Sequence, residues 1–154
     1  MRNTNKGFTL IELIMVTIIL GILAAVAIPR YITSVTAAEE AAEDAVINAI
    51  KAGLEQYATE QMMSTGNRQW PAGTDAATSP WIALETTPVG YAATDGNAAN
   101  DGEWRYNKTT KNITHMRSNG TVHHWDYEPD AVTANGDQVV GTLGANGREN
   151  GVGD

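Results

Sequence analysis

Cysteine is absent from this chain of 154 residues, so no disulfide can staple any part of it. Basic residues are scarce too, 10 Lys and Arg against 18 Asp and Glu, for a formal charge of −8. Phosphate contacts need a basic stripe, and an acidic surface therefore argues against nucleic acid as the main partner. Charge is most conspicuously missing between residues 8 and 28, where Glu12 is the only ionisable side chain. Apolar content is missing at the other end, where residues 128–154 are rich in glycine and asparagine and cannot hold a core alone.

What is present begins with that uncharged run. Its 21 residues, at the rise of an α-helix, span roughly 31 Å, the thickness of a bilayer's hydrocarbon core. A charge inside such a run costs about 2.5–3.5 kcal/mol on insertion scales. Glu12 therefore needs a partner. An ordinary secretory signal, with Ala25-Val26-Ala27 as its cleavage site, would leave Glu12 unexplained inside a hydrophobic region longer than usual. An uncleaved anchor would leave it without a role as well.

Lys6-Gly7-Phe8-Thr9-Leu10-Ile11-Glu12, with Gly21 and Pro29 downstream, resembles the signature of type IV prepilins and type II secretion pseudopilins. The resemblance covers the N-terminal part of the chain. It implies a leader, residues 1–7, removed after Gly7 by a membrane prepilin peptidase, with methylation of Phe8 as the new terminus. It also implies polymerisation with other copies through the N-terminal helix, helped by assembly machinery, into a filament for adhesion or motility. The protein would be a structural subunit and not an enzyme. It would lie as a single pass in the bacterial inner membrane before assembly, and in a cell-surface or periplasmic filament after. Arg2 and Lys6 would stay on the cytoplasmic side. The alternative implied by the same signature is a pseudopilin that pushes secreted proteins. Absence of cysteine departs from the many type IV pilins closed by a disulfide loop.

Once Phe8 is terminal, its free α-amino group can be neutralised by Glu12 of a neighbouring subunit. A buried charge pair is costlier half made than formed, so it sets stagger more than stability. Pro29 lacks an N–H and should kink or loosen the helix one turn upstream, and Gly21 weakens the same stretch by about 1 kcal/mol relative to alanine. The resemblance makes this the segment that can unwind in a filament, although both residues are common in membrane helices anyway.

A chain of this length is one domain, and one helix occupies about a third of it, so the remaining core must be small. The expected class is α+β, a long helix under a small antiparallel β-meander. Residues 8–29 would form the transmembrane and filament-core segment and 30–64 its amphipathic continuation, roughly 85 Å of helix in all. Val46, Ile47, Ile50, Leu54 and Tyr57 make its apolar stripe with Gly53 inside it, opposite Glu40, Asp44, Asn48, Lys51 and Glu55. Residues 65–101 read as a loop pinned by aromatics. In the meander, 102–127, strands are expected at 103–107, 113–117 and 121–127, with Asn119-Gly120 as a two-residue type I′ turn. Trp104 and Tyr106 share a face, as do His123, Trp125 and Tyr127, and this aromatic face should lie on the helix stripe.

His115, His123 and His124 with Asp126, Glu128 and Asp130 offer metal-ligating groups. Neighbouring strand residues face opposite ways, so at most one of His123 and His124 joins any one site, and the better reading is strand histidines, not a catalytic zinc. The tail, 128–154, reads as loosely packed. A second reading rests on a faint resemblance to the major pseudopilins, where calcium replaces the missing disulfide. Asp137 and Asp154, with Asn146 and Asn150 among glycine turns, would then offer calcium its oxygen ligands.

Overall fold

The structure is a computed structural model that describes residues 7–75, 79–129, 142–144 and 147–153. It divides into two compact units, Met1–Ala41 and Ala42–Asp154. One α-helix, α1, runs Leu10–Thr65 and contributes to both.

In the first unit the side chains of residues 7–34 are all exposed. This is a stretch of helix long and apolar enough to cross a membrane, and none of its side chains is covered by the described residues. The helix continues without interruption through Gly21 and Pro29. A Cβ added at Gly21 would meet nothing, so no packing within the chain calls for glycine there.

In the second unit α1 buries a single stripe, Glu43, Ile47, Ile50, Leu54 and Ala58, at spacings of three and four. Tyr57, expected on that stripe, is only half-buried. Ala58 takes its place, because the 3.6-residue period carries the buried line from Leu54 to i+4. The helix ends at Gly66, whose positive φ lets its N–H reach the Met62 carbonyl at 2.9 Å. Trp70 and Trp81 then anchor the connecting segment in the core, Trp81 from a short 3-10 helix, Trp81–Ala83.

The sheet is antiparallel, with β1 (Trp104–Asn107), β2 (Asn112–Met116) and β3 (Val122–Glu128) as a meander. Trp104 and Tyr106 of β1, Ile113 and His115 of β2, and His123, Trp125 and Tyr127 of β3 share one face. Their aromatic and aliphatic members form one core with the helix stripe. Trp104 stacks on Trp125 at 5.6 Å between ring centres. Tyr106 and Tyr127 donate their hydroxyls to the carbonyls of Gly73 and Pro71, which ties the connecting segment to the sheet.

Two expectations are corrected here. The β2–β3 turn has three residues, not two: Met116 pairs with Val122, Arg117 N–H donates to Thr121 O, and Gly120 N–H donates to Arg117 O. Only Gly120 has positive φ, as in a type I turn closed by a glycine bulge, so Asn119 is not in the left-handed region that a type I′ turn demands. The second correction is the tail. Its described residues are not loose, because β4 (Thr142–Leu143) and β5 (Glu149–Asn150) both pair antiparallel with the remaining edge of β3. Leu143 enters the core. A segment with too few apolar residues for a core of its own is held by an edge that would otherwise leave backbone groups unpaired.

Candidate functional site

Phe8, almost wholly exposed, precedes the helix, and Gly7 precedes it in turn. Thr9 is the N-cap and Glu12 the third helical residue. Glu12 Oε2 accepts from Thr9 N–H at 2.8 Å and from the Thr9 hydroxyl at 2.7 Å, while the Thr9 hydroxyl oxygen accepts from Glu12 N–H at 3.3 Å. This is a capping box, Thr-x-x-Glu, which satisfies backbone donors that the first helical turn leaves free. Glu12 therefore has a partner in its own chain, and Thr9-Leu10-Ile11-Glu12 spells the pairing out. Thr9 supplies hydrogen bonds but no positive charge. The carboxylate is thus held at the helix entrance, beside the residue that would carry the new α-amino group, and remains open to a cation from elsewhere.

A second polar centre went unread in the sequence. Glu43, 1% exposed, sits on the buried stripe of α1. Arg117 clamps it with two bonds, Nε to Oε1 at 2.8 Å and Nη2 to Oε2 at 2.6 Å. His115 Nδ1 lies 2.8 Å from Oε1, and since a carboxylate only accepts, Nδ1 is the donor. Arg148, from the tail, comes within 2.9 Å of Glu43 Oε2 and donates to Asp44 Oδ1 at 2.6 Å. Burial pushes the Glu43 carboxyl up, but the bonds from Arg117 and His115 and the charges of Arg117 and Arg148 outweigh it and bring the pKa to about 2. Three chain segments meet at this carboxylate, so its role is to fasten helix, sheet and tail. The available signal was that Glu43 lies four residues before Ile47 on the apolar stripe.

Gly21 and Pro29 lie inside α1. His123 lies on the helix-facing side of β3 and His124 on the other. Asp130, Asp137, Asn146 and Asp154 lie outside the described residues.

Comparison with known proteins bears on the N-terminal site. The prokaryotic N-terminal methylation motif matches residues 2–28. A fimbrial protein of Neisseria meningitidis serogroup B is 32% identical over 97% of this chain and 90% of its own length. The type IV narrow pilus major component of Thermus thermophilus is 41% identical over 40% of this chain and 50% of its own. The type II secretion system core protein G of Pseudomonas aeruginosa is 35% identical over 44% of this chain and 48% of its own. No solved structure matches the chain.

Proposed function

The chain belongs to the type IV pilin and type II secretion pseudopilin superfamily, and from that premise we propose how it is processed and what its filament does. It is a structural subunit that assembles in many copies. A prepilin peptidase cuts between Gly7 and Phe8, Phe8 is methylated, and the helix leaves the inner membrane to join a pilus-like filament that serves adhesion or motility. The observation that carries this reading is the unpartnered apolar helix of the first unit, with Glu12 at its entrance. The helix comes from lipid and is already out of water, so close packing against neighbouring helices, and not removal of apolar area from water, favours assembly. The Glu12 carboxylate, meeting the α-amino group of a neighbour's Phe8, sets the stagger. N-terminal sequencing of the membrane-extracted protein tests the first step. It should begin at methylated Phe8, and a terminus at Ile28 would sink the filament reading in favour of a secretory signal.

The similarity to a type II secretion core protein supports a second reading, a short periplasmic filament that moves secreted proteins. Deletion separates the two. Loss of surface filaments with normal secretion supports the pilus, whereas exoproteins retained in the periplasm support the pseudopilus.

A further inference from the structure

On the face of the sheet turned away from the helix, the strand register sets three metal-ligating side chains side by side. His124 and Asp126 are two residues apart on β3 and point the same way, and Glu149 of β5 is the direct cross-strand partner of His124. His124 Nε2 lies 3.7 Å from Asp126 Oδ1 and 3.6 Å from Glu149 Oε2, and the three donor atoms fall within 4.8 Å of one another. His124 is buried, while both carboxylates reach water.

The other ring nitrogen is independently informative. His124 Nδ1 sits 3.1 Å from the carbonyl oxygen of Gly151, which can only accept, so Nδ1 carries the proton. Metal-ligating histidines are oriented in this way, by a backbone carbonyl on the far nitrogen. With Nδ1 engaged by that carbonyl, Nε2 is the nitrogen turned towards the two carboxylates. A cation between the three donor atoms would satisfy all of them at once. A proton on Nε2 points at one carboxylate at a time, whereas a divalent ion answers both and cancels their two charges.

We propose that His124 Nε2, Asp126 and Glu149 bind one divalent transition-metal ion, zinc in preference to calcium, and that the ion fastens the end of the chain to β3. The imidazole favours zinc over the hard, oxygen-seeking cations. A tetrahedral zinc with bonds of about 2.0–2.1 Å sets its donors about 3.3–3.4 Å apart, so the gaps between His124 and the carboxylates close by a few tenths of an ångström. The fourth position opens on a surface depression edged by Thr110, Lys111 and Glu128, where water completes the coordination. β5 is two residues long, and the chain has no cysteine. A metal clip between β3 and β5 does there what a disulfide does elsewhere.

The test uses the untagged full chain in detergent micelles, stripped of metal and titrated with zinc against a chromophoric chelator. One equivalent should bind, and zinc should raise the thermal midpoint. Cobalt(II) in its place should give the visible absorption of a tetrahedral site. Asp126→Asn and Glu149→Gln change half-exposed side chains, and each should weaken zinc at least tenfold, while Glu85→Gln, exposed and not among the residues that line the depression, should not. Absence of saturable binding, or equal binding by all three variants, overturns the proposal. So does a midpoint raised by calcium and not by zinc, which would assign the clamp to oxygen ligands elsewhere in the tail.

Discussion

Glu43 shows how much one residue can decide in a small core. Arg117 is itself buried, so Glu43→Ala takes the carboxylate away from a guanidinium held out of water, and the loss expected for half of a buried pair is about 3–5 kcal/mol. All four tryptophans lie in the second unit, and their fluorescence during thermal unfolding of the full chain in detergent reads this loss. The carboxylate also imposes a pH dependence. Its pKa is about 2 in the folded chain against an ordinary 4.5. Across that window the unfolded chain binds the extra proton, so stability rises with pH, is fully present above 4.5 and is lost as pH falls through 2. Asp95, held down first by the Lys108 N–H, and Glu103, raised by burial but lowered more by Ala99, Arg105 and Asn100, shift in the same direction. The Glu43 share is therefore the part of the acid limb missing in Glu43→Gln, and identical limbs would remove Glu43 from the account. Beyond the place of Glu43 on the apolar stripe, the pair could not be read from the chain, because Glu43 and Arg117 are 74 positions apart and an acid on such a stripe gives no hint of its partner.

At the scale of elements, the helix and the meander were legible because period alone identifies them. Ile47, Ile50 and Leu54 repeat at helical spacing, and Trp104 and Tyr106 alternate as strand residues do. Trp104→Ala and Trp125→Ala should each cost about 3–5 kcal/mol, whereas half-buried Tyr57→Ala should cost clearly less. Contacts between elements were not legible, and Gly53 marks one of them. In an isolated helix Gly→Ala gains about 1 kcal/mol. Here a Cβ at Gly53 would run into the Ala83 carbonyl oxygen, and backbone on that side must move. Overpacking costs about 1–3 kcal/mol, so Gly53→Ala should lower the thermal midpoint where propensity alone would raise it. A raised midpoint would mean that the segment carrying Ala83 yields freely. The β4 and β5 pairings escaped for the same reason as Gly53. Strands of two residues have no period, and only the edge of β3 gives them a place.

For the whole molecule, the apolar helix of the first unit was the most legible part, since its composition identifies it without tertiary context. The structure adds a complication at Glu12, whose carboxylate takes part in the cap of its own helix and is also the group proposed to meet a neighbour's α-amino group. Loss of filaments in Glu12→Ala would therefore be ambiguous, since it removes the side-chain half of the capping box, the bonds from the Thr9 N–H and hydroxyl, together with the charge. Glu12→Gln separates them. Glutamine can accept from the Thr9 N–H as glutamate does, so the capping box persists, but it offers no charge to Phe8. If the charge pair sets the stagger, both variants should be cut after Gly7 and inserted normally, and both should fail to give filaments visible by electron microscopy. Filaments from Glu12→Gln but not from Glu12→Ala would make the cap the assembly requirement. The carboxylate would then act by shaping the helix entrance that each subunit presents, and not by neutralising its neighbour.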